Sequence, residues 1–248
     1  MTLIVAADAQ DHLILAGDHC AVMSGVSNPE QAPLVLDNYR KLYPWKYGAI
    51  AASGDVFLMV QFHRLFLLHE GDGGPIDLLQ VAKQARQARS RNGVPAAGSV
   101  GNLFFTLPGC DGFQLHAVFF RSDRIAHERI DPLSTQFSLR EREGVDAVCE
   151  AFNSRLRPSF FFDGVEAFHL HHLDLLERFF AREAAVDDRV TSSFDVCMLE
   201  KQTGLCTFWH RSQDTKELVF VHLEADKSDA RSGVPVRCGA DVSQLTAG

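Results

Sequence analysis

Residues 1–18 read MTLIVAADAQDHLILAGD, and this stretch decides the fold of the chain. Two apolar runs, residues 3–7 and residues 13–16, flank a short polar turn. Apolar runs joined by such a turn are typical of a buried β-hairpin. The sequence therefore predicts a core hairpin that starts within the first few residues and returns Asp18 to the side of Thr2.

Thr2 becomes the first residue of the protein if the initiator Met1 is removed, which is usual before a small residue. A free α-amine titrates near ~8, so it can accept the proton of the threonine's own hydroxyl at neutral pH. The sequence thus offers a candidate nucleophile that carries its own general base. Most threonines at this position do nothing, so the prediction depends on the residues around Thr2.

The segments TLIV at residues 2–5 and LILAGD at residues 13–18 closely resemble the start of proteasome β subunits and of the HslV-type bacterial peptidase. The interval between Thr2 and Asp18 is also that of this family. On these residues the chain resembles the N-terminal nucleophile (Ntn) hydrolases of the proteasome superfamily. The resemblance implies a threonine peptidase or amidohydrolase that attacks amide carbonyls with the Thr2 hydroxyl.

The resemblance also implies a lysine near the threonine. Lys41 lies in YRKLY, residues 39–43, which resembles a Tyr-Arg-Lys-Met segment of the bacterial proteasome homologues known as Anbu. In the family this lysine is held by the aspartate, and it lowers the pKa of the threonine amine because like charges repel. Arg40 and Lys46 are the alternatives, although Arg40 would hold its charge in a broad fork and Lys46 is predicted to lie in a turn.

Gly54 ends a small-residue strand predicted over residues 47–55 and precedes a helix predicted over residues 56–69. A glycine between a strand and a helix lets a backbone N–H approach the reacting carbonyl without a side chain in the way. The resemblance implies that this N–H stabilises the oxyanion. The alternative is that Gly54 only allows the chain to enter the helix.

The resemblance also implies an aspartate and a serine that support the threonine amine, just before the strand that begins here near Ser193. The candidates here are two of each kind: Asp187 or Asp188, and Thr191 or Ser192. The chain has no Asp-x-x-Ser at this place, and an ordinary loop after a helix is the alternative.

The family's first specificity pocket, carried over to this chain, has an uncharged wall. Its residues would be Ala21, Tyr39, Tyr43, Ala52 and Val56. An apolar substrate side chain would gain free energy there, whereas a charged one would lose hydration without gaining a partner. The small Ala52 predicts a deep pocket, and we expect Leu, Phe or Tyr to be preferred over Arg or Glu.

The order of the remaining patterns indicates the fold. Strand patterns cover residues 103–107, 113–120, 124–130, 135–139, 193–199, 205–210 and 217–223, and helix patterns cover residues 56–69, 76–91, 141–156 and 164–184. This order predicts an α+β, four-layer αββα sandwich, in which two antiparallel sheets pack face to face beneath outer helices. Residues 1–224 are predicted to form one domain, residues 24–37 a loop, and residues 225–248 a flexible C-terminal tail.

The charge and the amino-acid composition restrict the kinds of partner, location and cofactor expected for the chain. The 248 residues are 46% hydrophobic, and the net charge is −8 with dispersed basic residues, which argues against nucleic acid or an anionic membrane as the main partner. No apolar run approaches the ~20 residues of a membrane span and no signal peptide is expected, so a cytoplasmic location is predicted. The six cysteines form no C-x-x-C pair, and no cofactor is predicted.

Glu166 and His169 have the spacing of a carboxylate-bridged metal motif, but no second copy occurs. A solvated helix face is favoured there, and no metal is predicted.

The helix predicted over residues 56–69 carries apolar residues on more than one face, which exceeds what one sheet-facing stripe requires. Because helices at this position pack between subunits in the resembled family, a ring-like homo-oligomer is expected; an ATPase partner is left open. The alternatives to a peptidase are a non-catalytic ring subunit, a transpeptidase, or an amidase acting on a non-protein amide.

Overall fold

A computed structural model describes residues 3–23, 34–71, 76–95, 98–211 and 218–224 of the chain. Thr2 and the predicted tail at residues 225–248 lie outside these ranges. Within them, no helix is both long and apolar enough to cross a membrane.

The predicted strands and helices occur in the predicted order, and three short strands that the sequence did not predict lie between the hairpin and the strand at residues 48–54. The strands are β1 (Ile4–Asp8), β2 (His12–Asp18), β3 (Ala21–Met23), β4 (Leu34–Leu36), β5 (Leu42–Trp45), β6 (Gly48–Gly54), β7 (Gly101–Gly109), β8 (Gly112–Phe120), β9 (Ile125–Arg129), β10 (Ser134–Ser138), β11 (Phe194–Glu200), β12 (Leu205–Arg211) and β13 (Leu218–Glu224). The helices are α1 (Val56–Gly71), α2 (Leu78–Arg91), α3 (Val145–Asn153) and α4 (Val165–Ala184).

The predicted N-terminal hairpin is confirmed. Strands β1 and β2 pair antiparallel with Ile4 opposite Gly17, and every residue of both strands is buried. They lie inside an antiparallel sheet of order β10-β1-β2-β11-β12-β13. Strand β2 therefore receives hydrogen bonds from β1 on one side and from β11 on the other, and its end is fixed from both sides.

The hairpin contributes to two hydrophobic cores, which is why both of its faces are apolar. Ile4 and Leu15 pack in a core shared with the second sheet, of order β5-β6-β7-β8-β9, and with α1 and α2. Val5 and Ile14 pack in the other core, which is shared with α3 and α4. Two sheets stacked between two pairs of helices make the predicted four-layer αββα sandwich, which is confirmed.

The prediction of a loop over residues 24–37 is wrong for residues 34–36. Leu34–Leu36 forms β4 and pairs antiparallel with β3, with Val35 opposite Val22. The prolines and polar residues earlier in this segment favoured a loop, although the apolar run at residues 34–36 has a high β-propensity. Residues 24–33 lie outside the described ranges.

Helix α3 starts later than the helix pattern over residues 141–156 predicts. Gly144, directly before the helix, has φ 75° and a left-handed conformation that an α-helix interior does not allow. The helix therefore starts at Val145, and it ends at Asn153, three residues before the predicted end.

Candidate active site

The centre of the site is the carboxylate of Asp18, which lies at the end of β2 and is fully buried. Its Oδ1 atom accepts a hydrogen bond from the backbone N–H of Leu3 at 2.8 Å and contacts Lys41 Nζ. Its Oδ2 atom accepts from the N–H groups of Cys20 at 3.0 Å and Thr191 at 3.2 Å. Three N–H groups and one ammonium group thus hold the carboxylate in one orientation.

The hydrogen bond from Leu3 connects this carboxylate to the predicted nucleophile. Leu3 follows Thr2 directly in the chain, and its carbonyl oxygen also accepts from the N–H of Asp18 at 3.2 Å. Both backbone groups of Leu3 are therefore fixed by Asp18. The position of Thr2 itself lies outside the described residues.

Lys41 is only 1% exposed, although lysine is seldom fully buried. Its carbonyl oxygen accepts from the N–H of Ala52 on the neighbouring strand at 3.2 Å, which fixes the backbone from which the side chain extends. A Cβ atom added to Gly17 would lie 3.3 Å from Lys41 Cβ, so a glycine at position 17 leaves room for the lysine. Burial lowers the pKa of Lys41, and the Asp18 carboxylate opposes this effect.

The two alternative cations lie elsewhere. The Arg40 side chain is 64% exposed, with its Nε atom 3.9 Å from Asp195. The Nζ atom of Lys46 lies 4.7 Å from the centre of the Tyr47 ring. Of the three candidates, Lys41 is the one whose contact with Asp18 the structure describes.

Of the four supporting candidates, Thr191 contacts the centre. It is buried, its Oγ1 atom accepts from the N–H of His19 at 3.0 Å, and its own N–H reaches Asp18. Ser192 is exposed, whereas the next residue, Ser193, is buried and donates from Oγ to Thr191 Oγ1 at 3.2 Å. Sequence analysis missed Ser193, because which residue of the segment before β11 is buried depends on how that segment packs against Asp18 and His19.

Neither acidic candidate reaches this group in the described contacts. Asp187 forms an ion pair with Arg189 at 2.9 Å, and the hydrogen bonds from Arg189 outweigh the effect of burial and lower the pKa of Asp187. The Asp188 side chain is 98% exposed and lies 3.9 Å from Arg189. Asp187 and Arg189 stabilise the turn before β11.

Gly54 ends β6 with φ 116°, a conformation that favours glycine. A Cβ atom added there would lie 2.3 Å from Gly101 Cα and 2.4 Å from the Val100 carbonyl oxygen. Asp55 directly precedes α1, and its Oδ1 atom accepts from the N–H of Phe57 at 3.0 Å. Close packing against β7 and the turn into α1 explain why position 54 is a glycine. Neither observation tests whether its N–H stabilises an oxyanion.

The residues predicted to line a specificity pocket surround a small cavity beside Lys41. All five predicted wall residues line it, together with four others: Lys41, Ser53, Met59 and His63. Its volume is about 20 Å³, which is room for about one water molecule. Sequence analysis missed Met59 and His63, which project from α1 and occupy the depth that the small Ala52 suggests.

The aromatic wall of this cavity is uncharged at neutral pH. The rings of Tyr43 and His63 lie 4.3 Å apart. Burial lowers the pKa of His63 to about 4, and burial raises the pKa of Tyr43 to about 12. The Tyr43 hydroxyl donates to the Arg40 carbonyl oxygen at 2.8 Å, which holds the ring against the cavity.

No protein-family model matches the chain, and no curated protein matches it either. Among solved structures, Anbu (ancestral beta-subunit) from Yersinia bercovieri matches with a TM-score of 0.57 and 12% identity, over 86% of this chain and 88% of that one. Eukaryotic HslV from Trypanosoma brucei matches with a TM-score of 0.48 and 14% identity, over 80% of this chain and 99% of that one. At 12% identity the Anbu match establishes the fold alone and does not assign a role to any residue.

Proposed function

The chain has the fold of the proteasome-type Ntn hydrolases, and from this premise we propose that it is an N-terminal threonine amidohydrolase acting on peptide or related amide bonds. The observation that carries the proposal is the buried pair of Asp18 and Lys41, joined to Leu3 beside the predicted nucleophile. The fold alone would leave the activity open.

A buried ion pair calls for a reason other than stability. Removing two charges from water costs several kcal/mol per ion, and well-packed apolar residues often stabilise a protein as well or better. The Asp18 and Lys41 side chains are both 0% exposed, so the full desolvation cost applies to each. A catalytic role for the pair supplies the reason.

In the proposed reaction, Thr2 Oγ attacks the carbonyl carbon of the amide while the Thr2 α-amine takes the hydroxyl proton. The C–N bond then breaks, the leaving amine takes that proton, and the acyl group remains on Thr2 as an ester. Water resolves the ester by the same general-base route. If an amine resolved it instead, the same residues would catalyse transpeptidation.

Lys41 and Asp18 act on the amine in this mechanism. A nearby ammonium group disfavours protonation of the Thr2 amine, so more of it is available as a base at neutral pH. Asp18 orients Lys41, and Thr191 fixes the second oxygen of Asp18. The Gly54 N–H is proposed as the oxyanion donor, a kind of contact commonly worth ~2.7–4 kcal/mol in the transition state.

The proposed substrate has an apolar side chain at the cleaved position. Tyr43 and His63 are uncharged at neutral pH, and the charge of Lys41 is balanced by Asp18. A charged substrate side chain would therefore lose its hydration without a new partner, whereas an enclosed apolar one gains roughly 1.5–3 kcal/mol. The small cavity requires Met59 or His63 to move before a large side chain enters.

The test of this proposal uses the purified full chain and a β-lactone or epoxyketone probe. Intact mass should show that Met1 is absent and that one probe molecule adds to Thr2. Thr2→Ala and Lys41→Ala should both abolish labelling, whereas Lys83→Ala, which replaces an exposed lysine of α2, should not.

Labelling that persists in Thr2→Ala would refute the proposed nucleophile. If Lys46→Ala abolished labelling and Lys41→Ala did not, the assignment of the lysine would be wrong. Circular dichroism of each variant separates a loss of chemistry from a loss of fold.

A second candidate function, a subunit of a homo-oligomeric ring, is favoured by the outer surface of α1. Large apolar side chains are exposed there: Phe57 49%, Val60 49%, Leu67 63% and Leu68 58%. Exposed apolar patches of this kind mark sites of association. Native mass spectrometry should give an oligomer that Leu67→Glu with Leu68→Glu dissociates, and a retained Met1 in that oligomer would favour a non-catalytic subunit.

A further inference from the structure

Three side chains of kinds that can ligate a metal meet where β2, β11 and β12 adjoin, and the proposed hydrolysis uses none of them. Asp195 Oδ2 lies 3.2 Å from His19 Nε2, and Asp195 Oδ1 lies 2.6 Å from His210 Nδ1. The two imidazole rings stack with their centroids 5.0 Å apart. One carboxylate is therefore shared between two stacked imidazoles.

Strand pairing brings these residues together from distant parts of the chain. On β11, Asp195 stands opposite Gly17 of β2 on one side and opposite His210 of β12 on the other. Directly paired residues project from the same face of a sheet. His19 follows the last residue of β2, and its N–H is held by Thr191 Oγ1, which fixes the backbone from which its ring extends.

The buried ring of His19 lacks a partner of good geometry. Its side chain is 3% exposed, and its Nε2 atom makes no hydrogen bond even though a carboxylate oxygen lies 3.2 Å away. A buried polar atom without a hydrogen bond is costly and calls for an explanation. A ligand that takes the lone pair of this nitrogen would supply one.

Asp195 is suited to bind a cation. It is mostly buried, and each of its two carboxylate oxygens faces an imidazole nitrogen. The exposed guanidinium of Arg40, whose Nε atom lies 3.9 Å from Asp195, can turn to solvent.

We propose that His19 Nε2, Asp195 and His210 Nδ1 bind one divalent transition-metal ion, of which zinc is the best match. Two imidazoles and one carboxylate form a typical zinc ligand set with one position left open, and Mg²⁺ and Ca²⁺ prefer oxygen ligands instead. The ligand atoms lie within 4.8 Å of one another. Because Zn–N and Zn–O bonds are about 2.0–2.2 Å, small side-chain rotations bring all three onto one ion.

The ion would lie next to the candidate active site. Gly17, the partner of Asp195 in the sheet, is the residue against which Lys41 packs, and His19 follows Asp18 directly. A bound dication would add positive charge beside Lys41. The metal site itself depends on His19, Asp195 and His210 alone, and it stands whether or not the chain is a hydrolase.

The test is a calorimetric titration of the chelator-treated full chain with ZnCl₂, repeated with CoCl₂, whose visible absorption reports coordination. We expect one equivalent of zinc to bind, with no response to MgCl₂. Asp195→Asn and His210→Ala should each weaken zinc binding at least about 100-fold, because even the loss of a second-layer partner costs 10–100-fold. His171→Ala is the matched control, since His171 is half-buried on α4, where its ring contacts the Arg155 carbonyl oxygen, and its loss should leave the affinity unchanged.

His210→Ala is the decisive variant, because the His210 side chain is about one-third exposed and its replacement should leave the hydrophobic core intact. His19 is buried, so its replacement could also disturb the fold. The proposal is overturned if zinc fails to bind in the titration, or if His210→Ala binds zinc as tightly as the parent. Loss of binding in His171→Ala instead would assign the metal to the α4 histidines and would equally overturn it. Thr2→Ala, which lacks the proposed nucleophile, should bind zinc as the parent does.

Discussion

Replacing Lys41 by Met tests whether its charge is as deeply buried as the structure indicates. Methionine has a similar length and volume and no charge, so it removes the cation while it fills most of the space. The Asp18 carboxylate then remains buried without its cation. Breaking a buried pair by removing one partner typically costs about 3–5 kcal/mol.

The magnitude should fall at the lower end of this range. Asp18 keeps three N–H donors, from Leu3, Cys20 and Thr191, and these continue to stabilise its charge. We therefore expect Lys41→Met to lower the free energy of unfolding by about 3 kcal/mol, a large fraction of the 5–15 kcal/mol typical of a domain.

The assay is equilibrium unfolding in urea, followed by circular dichroism. The control is Arg178→Met, which breaks an ion pair with Asp174 on α4 whose side chains are 63% and 58% exposed. That exposed pair should be worth at most about 0.5 kcal/mol. A loss below about 1 kcal/mol for Lys41→Met would refute the reasoning. So small a loss is typical of an ion pair that water reaches, and Asp18 and Lys41 would then not be a buried pair.

Three further outcomes follow from the same structure. Gly54→Ala should lower the melting temperature far more than Gly93→Ala in thermal unfolding: both glycines have positive φ, but a Cβ on Gly54 would lie 2.3 Å from a backbone atom, whereas one on Gly93 meets nothing within 4 Å. Equal effects would mean that φ alone matters. Acidification should destabilise the protein as the pH falls from 6.5 to about 4, because burial lowers the pKa of His172 to about 4 and the unfolded chain takes up the proton first. His172→Gln should reduce the dependence of the free energy of unfolding on pH by up to about 1.4 kcal/mol per pH unit, measured by urea unfolding. An unchanged dependence would show that His172 is not its source. If the chain is a hydrolase, Met59→Ala should raise kcat/KM for a peptide with Phe at the cleaved position relative to Ala, and an unchanged ratio would place the pocket elsewhere.

The sequence predicts the strands well because of where they lie. Strands β1 and β2 are buried on both faces, so their residues are almost continuously apolar and need no knowledge of partners to be identified. The same holds for β6, whose small residues are nearly all buried. By contrast, β4 has three residues, two of them exposed, and its signal was lost among the prolines around it.

The candidate site is only partly predictable, because its contacts join distant segments. Asp18 and Lys41 are identified by their resemblance to a family pattern near the N-terminus. Thr191 reaches Asp18 across 173 positions, and choosing between Thr191 and Ser192 requires the strand register. Likewise, His63 belongs to the cavity because of how α1 is turned about its axis, which a helix with apolar residues on more than one face does not reveal.

Both proposed sites depend on one feature, the pairing of β2 with β11. In this register Phe194 stands opposite Asp18 and Asp195 opposite Gly17. The stacking of Phe194 on Phe180, with ring centroids 4.7 Å apart, fixes which face of β11 points toward α4. A slip of one residue would turn every side chain of β11 to the opposite face and carry Asp195 away from the layer between the sheets. The aromatic core under α4 therefore sets the position of the proposed zinc ligand and, through the adjoining Thr191, the orientation of the Asp18 carboxylate.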